Sequence, residues 1–368
     1  MRRWLQKLRK IRTVTGGTGV VASPRIADRV VGRDNNFNLL RMMAATGVLV
    51  SHAYPVSRGP DTEQLLEYWL KGVTLGDACV LVFFVISGFF IARSFDQKQD
   101  LRAFLWARVL RIFPALAIVL VLSVLVTGLW LTATPGPQFW QAGAEYVLRN
   151  VTLISPQRDL PGVFEGNPFG PVVNSSLWTL YYEVMCYLWV VCVGLVGWLA
   201  GPRIFVLVLA VFVTAFGAKV ALDLAPRLET GLYLGLPFVI GMTFYVWRAV
   251  IPLSGFLAVG LIGAAAVLWS TPLFSLMMIL ALCYTVFVLG YARIPSLLRY
   301  NRVGDYSYGT YIYAFPIQQT VVWMGVTSPV LNIVLAAPVT LLCAILSWRL
   351  VEAPALRLRH RIWRPAPG

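Results

Sequence analysis

The chain has 368 residues, of which 58% are hydrophobic and only 13% are charged, and its mean hydropathy is +0.72. Because an ordinary soluble domain carries about 25% charged residues, this composition excludes a soluble core and predicts many membrane-spanning helices. The net charge of +15 would suit a nucleic-acid-binding protein, but the basic residues lie between apolar segments. That distribution is typical of a membrane protein whose loop charges set its orientation, so we expect no nucleic-acid partner.

Taken in order, the chain begins with a basic segment, residues 1–36, which we expect to lie in the cytoplasm against anionic lipid. Residues 37–351 contain ten apolar runs long enough to cross a bilayer, and the longest polar connection among them is Thr132–Gly170. Residues 352–368 form a basic tail. Since most of the 31 lysines and arginines fall on the side of the two termini, we predict an all-α polytopic membrane protein of about ten transmembrane helices with both termini cytoplasmic.

The first predicted span carries two ionisable residues, Arg41 and His52, which are costly inside a membrane and usually functional there. They are eleven residues apart, about three helical turns, so they project from nearly the same face at a separation of ~16 Å. Arg41 is expected near the cytoplasmic surface, and for this residue alone the favoured explanation is that its side chain reaches the interface. His52 falls in the outer half. Although a structural role is possible for it, histidine is the side chain best suited to moving protons near neutral pH, so we predict that His52 is catalytic.

Two carboxylates lie within later spans. Asp77 begins the second span at a depth similar to that of His52, and it is either the partner of the imidazole or a helix-start residue at the interface. Glu183 lies at mid-membrane depth in the fourth span. It belongs to a polar stripe with Ser176, Thr179 and Tyr187, and such a stripe favours a lined cavity over a single structural hydrogen bond.

Two arginines, Arg108 and Arg111, are spaced i, i+3 at the cytoplasmic start of the third span. Paired guanidinium groups suit phosphates, but without further context the favoured explanation is the positive charge that membrane topology requires there. The ninth span is rich in tyrosine, serine and glutamine. An aromatic belt at the membrane surface explains part of this, and residues such as Tyr311 deeper in the span indicate sugar or cofactor contacts.

Six strings in the right order resemble the membrane-bound acyltransferase family 3, over about Asn36 to Pro354. They are NNFNLLRMMAATGVLVSHAYP, LVFFVISGFFIARSF, FLWARVLRIFPAL, NSSLWTLYYEVMCYL, SYGTYIYAFP and VEAP. Each string alone has low specificity, but six in one topology are specific. One departure is Phe315, which stands where many members have a histidine before the proline, so a second catalytic histidine is not expected.

The resemblance implies an O-acyltransferase in the inner membrane of a bacterial cell. Its donor would be an acyl-CoA, most often cytoplasmic acetyl-CoA, and its acceptor a hydroxyl of a carbohydrate such as a cell-surface or exported polysaccharide. No metal is expected. Together, the residue patterns and the resemblance predict these site residues: catalytic His52, Glu183, Asp77 and Arg41; cofactor-binding Arg108 and Arg111; substrate-binding Trp178, Ser176, Thr179, Tyr308 and Tyr311.

A different class of protein also fits ten spans with buried charge, namely a transporter or flippase of a glycan or small anionic metabolite. Against it, the sequence has no detectable repeat and no matching pair of broken apolar segments. A non-catalytic scaffold is disfavoured because buried Arg41, His52 and Glu183 would be costly without a function. Direct deprotonation of the acceptor by His52 and transfer through an acyl-histidine both remain open.

Overall fold

The structure is a computed structural model, and it describes residues 23–30, 32, 34–97, 100–132, 136–197, 201–218 and 224–359. The predicted N-terminal segment and tail lie mostly outside these residues. Within them the chain is helical, and its only β-type pairings are the isolated bridges Arg25–Pro252 and Asp159–Val172. The prediction of an all-α protein is therefore confirmed.

The described residues form fourteen α-helices, numbered in chain order: α1 Ile26–Arg29, α2 Phe37–Arg58, α3 Leu75–Gln97, α4 Leu101–Val126, α5 Pro137–Thr152, α6 Trp178–Leu195, α7 Pro202–Ala218, α8 Pro226–Val246, α9 Gly255–Val267, α10 Phe274–Gly290, α11 Pro295–Leu298, α12 Ser307–Trp323, α13 Pro329–Ser347 and α14 Ala353–Leu358. Short π-helical turns follow α4 and α13, at Thr127–Leu131 and Trp348–Glu352. Each of the ten predicted apolar segments overlaps one of these helices.

Local chemistry explains where several helices begin and end. The Asp100 carboxylate accepts hydrogen bonds from the backbone N–H groups of Arg102 and Ala103, which satisfies two donors at the start of α4. Proline is the first residue of α5, where its missing N–H costs nothing. Helix α2 ends at Gly59, whose φ of 106° favours glycine.

Four helical stretches of the described chain are both long and apolar enough to cross a membrane: Leu75–Gln97, Leu101–Leu131, Ser175–Leu195 and Pro329–Leu358. A fifth span results if Phe274–Gly290 and Pro295–Arg302, which are bent by 85° at a short break, are one crossing. The chain is therefore a membrane protein with four or five clear candidate spans. Helix α2 is not among them, because Arg41 and His52 lower the mean hydropathy of its apolar run.

The predicted long polar connection contains a helix that the sequence analysis did not anticipate. Helix α5 is amphipathic and buries Phe139, Gly143, Tyr146 and Asn150, which follow a helical spacing. It packs against the end of α4, and a Cβ atom at Gly143 would collide with the Val124 side chain. The close approach of α5 to α4 thus requires glycine at that position.

Two compact units can be distinguished. The His52 unit contains Asn36–Phe83, Asp100–Met185 and the chain from Ile294 onward. In it, α12 packs against both α2 and α13, and α13 also packs against α2. A Cβ atom at Gly309 would lie 2.8 Å from the Cα atom of Ala344, so small residues bring the backbones of α12 and α13 into close contact.

The companion unit contains Phe84–Gln99 and Cys186–Arg293, together with the chain before Asn36. Its core is aromatic, with the Phe89 ring at 4.9 Å from the Phe287 ring and at 5.7 Å from the Tyr245 ring. Such edge-on and tilted contacts are the favourable geometry for buried aromatic rings. All the residues predicted to form the functional site belong to the His52 unit.

Candidate active site

His52 lies on α2 with its ring edge-on to the ring of Phe315 on α12, at a centroid distance of 5.4 Å. The Nδ1 atom is buried and has no hydrogen-bond partner among the described residues. On its far side Phe315 contacts the Phe169 ring, also at 5.4 Å, and it packs with Val56 in a small apolar cluster. The imidazole is thus held by packing, while one of its nitrogens is left unpaired.

A second set of buried polar atoms surrounds the same turn of α2. Gln318 Nε2 donates to the carbonyl oxygen of Leu49, which is one helical turn before His52 on the same face. Asn332 Nδ2 donates in turn to the carbonyl oxygen of Gln318, at 3.1 Å. The amide oxygens Gln318 Oε1 and Asn332 Oδ1 have no hydrogen-bond partner among the described residues. We call His52 Nδ1 and these two oxygens the open acceptors, since each can accept a hydrogen bond.

Next to this region, Gln319 fixes the loop that precedes α6. Asn167 Nδ2 donates to Gln319 Oε1 at 2.8 Å, and Gln319 Nε2 donates to the carbonyl oxygens of Gly170 and Val172, at 3.1 and 2.8 Å. Every polar atom of the Gln319 amide is therefore used. Because Phe169 lies within this loop, the same bonds hold its ring against Phe315.

The predicted polar stripe of α6 faces α12. Thr179 Oγ1 and the Tyr311 hydroxyl are 2.6 Å apart and share a buried hydrogen bond. The carboxylates of Glu183 and Asp77 both lie within electrostatic range of the Tyr311 hydroxyl. Ser176, one turn before Thr179, is fully buried and its Oγ has no hydrogen-bond partner among the described residues. The structure thus brings together four residues that the sequence analysis placed in the site.

Asp77 acts as a helix-start residue. Its Oδ2 accepts hydrogen bonds from the backbone N–H and the hydroxyl of Thr74, at 3.0 and 2.8 Å, and Thr74 Oγ1 accepts from the Asp77 N–H. This reciprocal arrangement is a capping box at the start of α3. Since His52 Nδ1 is unpaired, Asp77 is not bonded to that nitrogen. Of the two alternatives for Asp77, the structure therefore supports the helix-start role directly.

At the Arg41 end of α2 the charged groups are paired, and we call this set the Arg111 cluster. Arg111 Nη2 lies 2.6 Å from Asp305 Oδ2, and Arg111 Nη1 lies 3.4 Å from Glu352 Oε2. Ser307 donates to the other Asp305 oxygen, at 2.6 Å. Burial opposes ionisation of Asp305, yet the guanidinium groups of Arg111 and Arg41 hold the pKa of its carboxyl below its ordinary value.

Two predicted residues lie beside the Arg111 cluster. The Tyr308 hydroxyl donates to the carbonyl oxygen of Ile112, and the Arg111 guanidinium lies 5.8 Å from the centre of the Tyr308 ring. Tyr308 therefore belongs to the Arg41 end of the unit. Arg108 lies over the Phe104 ring at 5.6 Å. Arg108 and Arg111 thus have different surroundings, since carboxylates already engage Arg111.

A family model for the acyltransferase domain matches residues 34–349, which is most of the chain and includes every predicted site residue. The chain belongs to this acyltransferase family. It is accordingly an enzyme that transfers an acyl group and needs an acyl donor. The predicted resemblance is confirmed. Among the described residues, no group of three or more histidine, cysteine, aspartate or glutamate side chains is arranged to hold a metal ion.

Two curated relatives of the acyltransferase match it over nearly their whole length. A protein named O-acetyl transferase from Shigella phage Sf6 is 28% identical over 341 residues, which cover 87% of this chain and 95% of the phage protein. Nodulation protein 10 from Rhizobium leguminosarum bv. viciae is 28% identical over 369 residues, covering 89% of this chain and 95% of that protein. No solved structure matches the acyltransferase.

Sequence reasoning missed several residues of the site. It gave no role to Gln319 or Asn167, and it treated Phe315 only as the place of an absent histidine. It also missed the carboxylate partners of Arg111, which are 194 and 241 residues away in the chain. The consecutive glutamines of α12 were a usable signal, because a buried amide in a membrane helix requires partners.

Proposed function

We propose that this acyltransferase moves an acetyl group from cytoplasmic acetyl-CoA onto a hydroxyl of a carbohydrate on the other side of a bacterial inner membrane. In this proposal α2–α4, α6–α10, α12 and α13 are ten spans with both termini cytoplasmic, as the distribution of basic residues favours. The name O-acetyl transferase of the phage relative supports O-acetyl transfer. His52 is one of two histidines in the chain, and an acid–base role is supported because histidine is the side chain best suited to moving protons near neutral pH.

The observation that carries the proposal is the contrast between the two ends of α2. Arg41 and the paired charges of the Arg111 cluster lie at one end, while His52 and the open acceptors lie about three turns away. Between these levels, Thr179 and Tyr311 meet near two carboxylates. An enzyme whose donor is made on one side of a membrane and whose acceptor is on the other needs such a polar path through apolar helices.

The open acceptors support a ligand that brings hydroxyl groups. Buried polar atoms in native proteins are almost always hydrogen-bonded, and each unsatisfied one costs about 1–3 kcal/mol. A sugar presents several O–H donors, and these would satisfy His52 Nδ1 and the amide oxygens of Gln318 and Asn332. In this arrangement His52 accepts the proton of the attacking hydroxyl as a general base, which typically contributes 10²–10⁴-fold to the rate. Phe315 fixes the plane of the imidazole.

Glu183 and Tyr311 would complete the acyl path. A carboxylate near the Tyr311–Thr179 pair would stabilise the positive charge that develops on a histidine when it takes up the acceptor's proton, and the hydroxyl pair can donate to the acyl oxygen. The acceptor oxygen then forms the new ester bond as the thioester C–S bond breaks, and the departing coenzyme A thiolate takes up the proton. At the cytoplasmic end, Arg108 and Arg111 would bind the phosphates of the coenzyme A portion. For Arg111 this requires a phosphate to share its guanidinium with Asp305 and Glu352.

The deciding experiment joins donor binding to product analysis. Wild-type protein purified in detergent should bind acetyl-CoA, and glycans from a strain that lacks the gene should lose one ester-linked acetyl group that returns with the wild-type gene. Because an acyltransferase could use another acyl donor, absence of binding would overturn acetyl-CoA as the donor. Binding of acetyl-CoA with an unchanged glycan profile would overturn the carbohydrate acceptor alone.

A further inference from the structure

A cavity of about 350 Å³ lies beside Trp178, at the start of α6, in the His52 unit. Its volume is in the range of small-molecule sites. Its walls include an aromatic ring, a guanidinium group, three amides and a hydroxyl: Trp178, Arg158, Asn150, Gln157, Asn174 and Ser175. Pro156 and Leu177 complete the lining, so most of the surface that the cavity exposes is apolar.

The walls of this cavity are held firmly by hydrogen bonds. Asn150 is buried, and its Nδ2 donates to the carbonyl oxygens of Tyr146 and Gln157, at 2.8 and 2.9 Å. Asn174 is buried as well; its Oδ1 accepts from the Ser176 N–H, and its Nδ2 donates to the Ile312 carbonyl oxygen. The cavity is therefore a preformed site whose shape does not depend on a ligand.

Arg158 brings a positive charge to this cavity. It forms no ion pair within the described part of the chain, and its backbone carbonyl oxygen is fixed by the N–H of Val173 at 2.7 Å. Arg149, on the neighbouring α5, is instead paired with Glu145. A guanidinium group without a carboxylate partner is suited to bind an anion in a planar, two-bond geometry.

Trp178 gives the cavity an apolar platform. Its side chain is 40% exposed, and its ring contacts Tyr182 edge-on at 5.8 Å. An aromatic ring can pack against the C–H face of a sugar, while the Ser175 hydroxyl and the Gln157 amide can hydrogen-bond to the sugar's hydroxyl groups. The combination of ring, amides and arginine therefore points to a sugar that carries a negative charge.

The cavity is connected to the His52 region through one loop. The Arg158 carbonyl bonds to Val173, and the bridge Asp159–Val172 follows directly. Val172 and Phe169 pack onto the apolar cluster of Phe315, whose ring contacts His52. A carbohydrate chain bound in the cavity would thus be held by the segment that also covers the neighbour of the catalytic histidine.

We infer that this cavity is a subsite for an acidic sugar unit of the acceptor. In the glycan, this unit would lie close to the sugar unit that is acetylated. The inference rests on the proposed function, because it assumes a carbohydrate acceptor. It adds the chemical class of that acceptor, a glycan with carboxylate or phosphate groups, and assigns its recognition to Arg158 and Trp178.

The test compares two probes of equal length, an oligosaccharide of galacturonic acid and a neutral glucose oligosaccharide, by calorimetric titration of the detergent-purified protein. Wild type should bind the acidic probe roughly three- to tenfold more tightly, as expected for a partly exposed charge pair. Arg158→Gln should abolish the preference, and Trp178→Ala should weaken both probes alike. Arg149→Gln removes an arginine from the neighbouring helix and should keep the preference. About 0.5 M salt should reduce the preference of wild type for the acidic probe.

Equal binding of the two probes by wild type, or a preference that survives in Arg158→Gln, would overturn the subsite. Arg158→Lys retains the charge and should keep part of the preference, which guards against a folding defect in the glutamine variant. Acetyl-CoA titration of the same wild-type sample separates the two proposals. An acidic preference without acetyl-CoA binding would leave the subsite standing and overturn acetyl-CoA as the donor. Acetyl-CoA binding without a preference for the acidic probe would leave the acetyltransferase proposal standing and overturn the subsite.

Discussion

The two ends of α2 differ in how their polar groups are satisfied. At the Arg41 end, Arg111 meets two carboxylates and Asp305 is bonded on both oxygens. At the His52 end, three buried acceptor atoms have no partner among the described residues. Breaking a buried ion pair is costly, and unpaired buried acceptors are costly as well unless a ligand satisfies them. In the proposed function, the acceptor therefore binds at the His52 end, while the Arg41 end binds the donor and holds the helices in place.

The largest expected effect is at His52. His52→Ala should abolish acyl transfer, with a loss of roughly 10²–10⁴-fold, because it removes the proposed general base while leaving its packing partner Phe315 in place. The measurement is ester formation in membranes that contain equal amounts of each variant. Thr46→Ala, on the same helix at an exposed position, should be fully active. Near-normal transfer by His52→Ala would remove this histidine from the mechanism.

Glu183 is expected to give the second-largest effect. Glu183→Gln keeps the shape of the side chain but removes the charge near Tyr311, so turnover should fall by about tenfold or more. Activity must be divided by the amount of protein in the membrane. Met185→Leu, two residues further along α6 and exposed, serves as the control. If activity merely follows protein abundance, the role of Glu183 is structural.

Much of the fold could be predicted because apolar runs of spanning length leave few alternatives to helices. The buried face of α5 was also visible in the sequence, since Phe139, Gly143 and Tyr146 follow a helical spacing, but its proline- and glycine-rich surroundings suggested a loop. The capping role of Asp77 was likewise readable from Thr74, three residues earlier. In both places a local pattern existed and was given too little weight.

The partners of the site residues could not be predicted in the same way. Arg111 meets Asp305 and Glu352, and His52 meets Phe315, through contacts between helices that are far apart in the chain. Residue spacing along one helix defines which side chains share a face, but it does not define which helix packs against that face. The sequence therefore names candidate site residues but not the contacts that they form.

The arginine pair tests whether the Arg41 end also binds the donor. Replacing Arg108 and Arg111 together by lysine should keep the membrane orientation and weaken acetyl-CoA binding, by roughly 1–3 kcal/mol for each charge-assisted hydrogen bond lost. The apparent KM for acetyl-CoA should rise accordingly. Arg102→Lys, in the first turn of the same helix, is the matched control. If the double variant binds acetyl-CoA as wild type does, the pair serves topology and the Arg111 cluster only.

The smallest expected effect concerns the stability of the Arg111 cluster. The pKa of Asp305 is held below its ordinary value, so its charged form stabilises the folded state at every pH above the unfolded pKa of about 3.9. As pH falls from there through the lower folded pKa, the carboxyl takes up a proton and that stabilisation is lost. At pH 7, Asp305→Asn should cost about 1–3 kcal/mol of the free energy of unfolding, because Arg111 loses its shorter ion pair.

Thermal unfolding in detergent should show that the gap in stability between wild type and Asp305→Asn narrows below about pH 4. Asp100→Asn, which changes a partly exposed helix cap at the start of α4, controls for a general effect of removing an acidic residue. A gap that stays constant down to pH 3 would mean that the charge of Asp305 does not stabilise the cluster, and Glu352 would then be the carboxylate that holds Arg111.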